Sequence, residues 1–233
     1  MDASDAPPVS AAIVEMRAAT PAAGAVAGIL FAVLFGVSVM IVARTMDKAS
    51  IDTGAWLERD TRLFTFALGL IPFAGLFFLW FIAVARAHLG RLEDQFFSTV
   101  FVGSGILFVA LLFSAAASVG AIIATAERGT SGFVAGDAYL YGRNVVAQIF
   151  GIYALRMAAV FQMSQATLWL RTGVMPRWMA LITFPVALVL LFIVTTSNWV
   201  ILIFPGWVLM VSVYILLTRT RVRPEAAEGV HHG

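Results

Sequence analysis

Across 233 residues, 61% of the side chains are hydrophobic, 12% are charged and the formal net charge is +2. A soluble domain carries about 45–50% apolar and about 25% charged residues, so an ordinary water-soluble domain is excluded. No basic stripe interleaved with aromatics is present, which excludes nucleic acid as a partner, and the lack of any cysteine excludes disulfides, thiolate metal sites and cysteine nucleophiles.

The chain opens with MDASDAPPVSAAIVEM, which carries acids first. Its small residues precede the first apolar run, the reverse of a cleaved leader. Residues 1–22 therefore read as a tail or interfacial segment. Six runs then approach or exceed the roughly 20 apolar residues that cross a bilayer: 23–43, 63–85, 96–125, 142–170, 178–195 and 199–217. They are continuous, unlike the alternating ten-residue segments of a barrel, and helices satisfy their own backbone in lipid. The fold expected is an all-α bundle of six transmembrane helices over residues 23–218, followed by a hydrophilic tail at 219–233.

Several features sit along these runs. The first span carries Gly24, Gly28, Ala32 and Gly36 one turn apart, and the third carries Ser114, Ala117, Ser118 and Ala121; both read as faces for close helix approach. Pro72, Pro185 and Pro205 fall inside spans and predict kinks. Gly173 and Pro176 close the fourth span as helix-end residues. The tryptophans lie mostly near span ends, as an interfacial belt does, with Trp80 and Trp207 deeper. With six spans both termini share a side. Eight arginines fall there and six cationic side chains on the other, which places the termini in the cytoplasm and the chain in a cell (inner) membrane.

The fourth span is the least apolar. On a uniform wheel of 100° per residue, Asn144, Gln148, Arg156, Gln162 and Thr167 occupy about 140° of arc. One face is mostly polar and is expected to turn away from lipid. Arg156 lies about 20 Å from either end at 1.5 Å per residue, too deep to reach water easily. An arginine at that depth costs at least about 2.5 kcal/mol and normally faces the bundle interior with a partner. No Asp or Glu lies inside a span, so neutral acceptors are expected, among them Gln148, Gln162, Tyr153, Thr183 or carbonyls freed by the prolines. Arg156, Gln148, Gln162, Asn144 and Tyr153 are the candidate ligand-binding residues.

No cofactor or metal is expected. The three histidines, His88, His231 and His232, lie at a turn and in the tail, so no pair is placed to hold haem. Ser104, between two glycines, has no histidine at depth to activate it and reads as a packing residue. Three functional readings follow. The first is a small-solute or anion pathway, or a ligand-binding membrane protein, centred on Arg156 and taking an anionic small molecule or lipid. The second is an accessory or assembly subunit, partnered by other membrane subunits or by further copies of itself within the lipid bilayer. The third is a membrane enzyme acting on lipids, which only His88, Glu93 and Asp94 at the cytoplasmic edge could serve. Catalysis is the least expected of the three.

Overall fold

The computed structural model describes residues 9–45, 48–59, 61–89, 95–129, 132–192 and 198–222. Residues 1–8, Glu93, Asp94 and the tail from 223 onward lie outside the described residues. The elements are α1 (Val9–Thr45), two short helices α2 (Lys48–Thr53) and α3 (Trp56–Arg59), α4 (Thr61–Leu89), α5 (Gln95–Glu127), α6 (Asp137–Gln148), a π turn (Ile149–Ala154), α7 (Leu155–Thr172), α8 (Arg177–Phe192) and α9 (Asn198–Val222). No strand occurs among the described residues. The segment read as a tail is helical from Val9.

Among the described residues, five helical segments are long and apolar enough to cross a membrane: Ala22–Arg44, Thr61–Arg86, Ser98–Glu127, Asp137–Thr172 and Trp199–Thr218. The expected fifth span is a shorter apolar helix, Arg177–Phe192. The chain is an all-α membrane bundle. Helices α4, α8 and α9 run through Pro72, Pro185 and Pro205 without a break. A proline costs one backbone bond, and in a packed span the helix continues around it.

Packing follows a ring. α1 lies between α9 and α4, α4 packs on α5, α5 on α7 and α7 on α8. Trp207 Nε1 closes the ring by donating to Thr183 Oγ1 at 2.9 Å, from α9 to α8. A second inter-helix bond runs from Ser38 Oγ on α1 to the Ala67 carbonyl on α4, 2.9 Å away. The centre is filled with phenylalanine. Phe78 of α4 has ring centroids 4.7 Å from Phe31, 5.3 Å from Phe108, 5.2 Å from Phe161 and 5.5 Å from Phe204. One ring each from α1, α4, α5, α7 and α9 thus meets at one point, and all five are fully buried. Such pairs add about 0.5–1.5 kcal/mol beyond burial.

The glycine row of α1 is divided between two tasks. A methyl group at Gly24 would strike Val84 of α4, and one at Gly28 would strike Ser212 of α9 and Phe81 of α4. These two therefore serve close approach inside the bundle. Gly36 has nothing within 4 Å of that position. The small face of α5 does not pack inward: Ser114, Ala117 and Ala121 are exposed. Ser114 and Ser118 donate to carbonyls four residues back in their own helix.

Trp56 is not a belt residue. It is buried, meets Phe64 in a tilted ring contact at 4.7 Å and donates from Nε1 to Tyr139 Oη at 2.9 Å. Tyr139 Oη in turn donates to the Ile51 carbonyl at 2.6 Å, and Arg143 pairs with Asp52. This cap ties α2 and α3 to the start of α6 and holds the fourth span in place. At the other end Gly173 adopts φ 67° and its N–H bonds the Trp169 carbonyl at 2.9 Å. That left-handed position needs glycine and ends α7 where the sequence reading put it.

The central ring contact is open to test. Phe78→Ala should lower stability in detergent by about 3–5 kcal/mol. Phe73→Ala, one helix face away and 59% exposed, should change it by less than about 0.5 kcal/mol. Thermal unfolding of the two variants side by side checks this; equal losses would show that the node does not hold the bundle.

Candidate functional site

The fourth span is one continuous helix with a widened turn in its middle. α6 passes into the π turn at Ile149 and α7 resumes at Leu155. An α turn closes on the fourth residue and a π turn on the fifth, so one such insert sets later residues back by about one residue, roughly 100° of rotation. A uniform wheel therefore fails across this span. Asn144 and Gln162 coincide on that wheel, yet Asn144 is exposed and Gln162 is fully buried.

The structure places the five candidate residues in two groups. Asn144, Gln148 and Tyr153 are exposed on the side of the span away from the phenylalanine core, and Arg156 is half-buried. Counted through the widened turn, Gln148 and Arg156 fall close to one line, with Asn144 and Tyr153 flanking it. They form a lateral polar strip, about 18 Å from Asn144 to Arg156. Gln162 is turned the other way, into the bundle. Its Nε2 and Oε1 have no hydrogen-bond partner among the described residues, and neither has Gln165 Oε1 one turn on. Thr167 spends its hydroxyl on the Met163 carbonyl at 2.9 Å.

Arg156 Nε donates to the Leu191 carbonyl at 3.5 Å, a long contact. Leu191 belongs to α8, the helix packed on α7. This acceptor was not among those the sequence suggested. Which carbonyl meets the guanidinium is set by how α8 packs on α7, and no residue type signals it. Among the described residues, the Leu191 carbonyl is the acceptor that the guanidinium fork meets.

Other candidates come out differently. Ser104 donates to the Val100 and Phe101 carbonyls of its own helix, as a packing serine does. Among the described residues no group of three His, Asp or Glu side chains could hold a metal ion. Among the cavities on the described surface, one of about 750 Å³ lies in the cap beside Asp52, Thr61 and Glu127 and another of about 610 Å³ lies along α1; Arg156 lines neither of these. No family model, no curated protein and no solved structure matches this chain.

The unpartnered amide makes a direct prediction. Gln162→Met keeps the volume and removes two buried, unbonded polar atoms, so it should raise stability by about 1–2 kcal/mol. Unfolding in detergent reads it. A loss above about 1 kcal/mol would mean that the amide is bonded in the working protein, by water or a bound group.

Proposed function

We propose that this membrane protein is an assembly subunit: it associates laterally with another membrane protein through the polar strip of its fourth span. The observation that carries the reading is the position of Asn144, Gln148, Tyr153 and Arg156 on the outside of the ring. Polar groups at membrane depth normally face protein or a water-filled cavity, not lipid. A filled aromatic centre offers less to a solute pathway than the lateral strip offers to a neighbour.

The chemistry of the partner follows from Arg156. No span of this chain carries an Asp or Glu in its interior, so a second copy would bring only neutral acceptors to that depth. A carboxylate on another chain would match the guanidinium fork in two parallel bonds. The partner is therefore a membrane helix with an Asp or Glu near mid-depth. The excess of arginines beside the termini, RTRVR included, favours their cytoplasmic placement. An anionic ligand at Arg156 is the second reading, favoured by the single long bond the side chain makes among the described residues.

The chain has no cysteine, so single cysteines can be placed freely. A thiol-attached photocrosslinker at Gln148→Cys, activated in native membranes, should give one stoichiometric adduct whose peptide carries an acid within an apolar run. The same probe at Phe73→Cys should give none. Adding Arg156→Leu should reduce the adduct about tenfold, equivalent to about 1.4 kcal/mol, in a protein that still folds. Adducts only with the chain itself, or none above the Phe73 control, would sink the reading. Retention of a small anion that is lost in Arg156→Leu, with no protein adduct, would establish the second one.

A further inference from the structure

A lateral groove of about 610 Å³ runs along α1 on the flank where α4 and α9 meet it. Its lining includes Ala32, Gly36, Met40, Leu63 and Leu209, and its one charged group is Arg44. Ala32 is buried at the groove floor, and a side chain added at Gly36 would meet nothing within 4 Å. The walls are exposed valines, Val33 and Val37. Arg44 is exposed and ends the Ala22–Arg44 span, and Leu63 lies near the start of the next, so both mark the same membrane edge. Arg62, next to Leu63, adds a second exposed cation there.

The length of the groove selects its occupant. Ala32 and Arg44 are twelve residues apart in one helix, which is about 18 Å at 1.5 Å per residue. Half of a hydrocarbon core of about 30 Å is about 15 Å. The groove thus runs from mid-membrane to one interface and covers one leaflet. A neighbouring helix would cross both leaflets and would look for small residues along the whole of α1. Below Ala32 that seam is closed, because Gly24 and Gly28 are taken by α4 and α9. An acyl chain needs one leaflet only. At its outer end the Arg44 guanidinium is suited to a phosphate, which its planar fork can hold with two bonds. Two cations at the mouth favour a headgroup with net negative charge.

We infer that this groove binds an anionic phospholipid, one acyl chain lying against Ala32, Gly36 and Met40 and the phosphate held by Arg44. The site is on a different flank from the Arg156 strip and does not depend on its reading. The full-length protein, delipidated in detergent, is titrated with phosphatidylglycerol or phosphatidylcholine of matched chains, and bound lipid is counted by native mass spectrometry. Phosphatidylglycerol should bind at least about fivefold tighter, the preference expected from one interfacial arginine. Arg44→Gln should cut that preference about fivefold. Gly36→Leu, whose Cβ meets nothing within 4 Å and whose side chain would occupy the groove, should weaken both lipids at least about tenfold. Gly69→Leu, also in open space on α4, should change nothing. Equal affinity for both lipids in the unaltered protein would overturn the inference. So would unchanged lipid binding in Gly36→Leu, and most clearly if that variant instead converted a dimer to a monomer. Should Gly36→Leu fail to fold, the Arg44→Gln comparison decides alone.

Discussion

Everything else in this bundle hangs on the contact of five phenylalanines around Phe78. Lipid tails are as apolar as the side chains, so helices in a membrane gain little from hydrophobic burial against one another. What remains is packing and a few polar ties. Each of five helices gives one ring to the node, and the rings meet in tilted and edge-on arrangements that favour their quadrupoles. The sixth helix, α8, adds no ring to the node and is held by the Trp207–Thr183 bond and by its packing on α7. Filling the centre has a consequence for the polar residues. Those on α6 and the π turn are displaced to the lateral surface, and the cap gathers Trp56, Tyr139, Asp52 and Arg143 outside the aromatic core.

The long apolar runs made the class of fold and most span positions legible, because the length of a run is set by the membrane and needs no tertiary information. The helix end at Gly173 was legible for the same local reason. Legibility ended where a residue's role depended on what came to meet it. Trp56 sits in a polar connection and looks interfacial, yet a partner 83 residues away buries it. Gly24 and Gly36 look alike in sequence, and only the approach of α4 and α9 makes one a contact and the other a groove floor. The helical wheel of the fourth span went astray for a different reason. It assumed uniform rotation, and six residues of π helix removed that assumption in the middle of the pattern. Of the five candidate residues, Gln162 was separated from the rest by that turn alone.

Arg156, the π turn and α8 can be understood together. An arginine in a span needs acceptors from the protein around it, and the Leu191 carbonyl of α8 supplies one. The widened turn immediately before Arg156 sets the rotation that carries it toward the surface while keeping Nε in reach of Leu191. With a regular helix the same residue would be rotated away from the line of Gln148. Among the described residues the half-buried arginine is thus tied to the fold through Nε, on the same line of the helix as Gln148.

In the ring order α1, α4, α5, α7, α8, α9, the helix that carries Arg156 stands opposite the helix that carries Gly36 and Arg44. The two surfaces differ in what they ask of their surroundings. The strip on the fourth span offers hydrogen-bond donors at depth and is poorly served by acyl chains. The groove on α1 offers an apolar trough of one-leaflet length with its charge at the interface, which acyl chains serve well. A bundle with one flank suited to protein and the opposite flank suited to lipid can take both at once. Its position would then be that of an edge: a subunit bound on one side, with the bilayer continuing on the other.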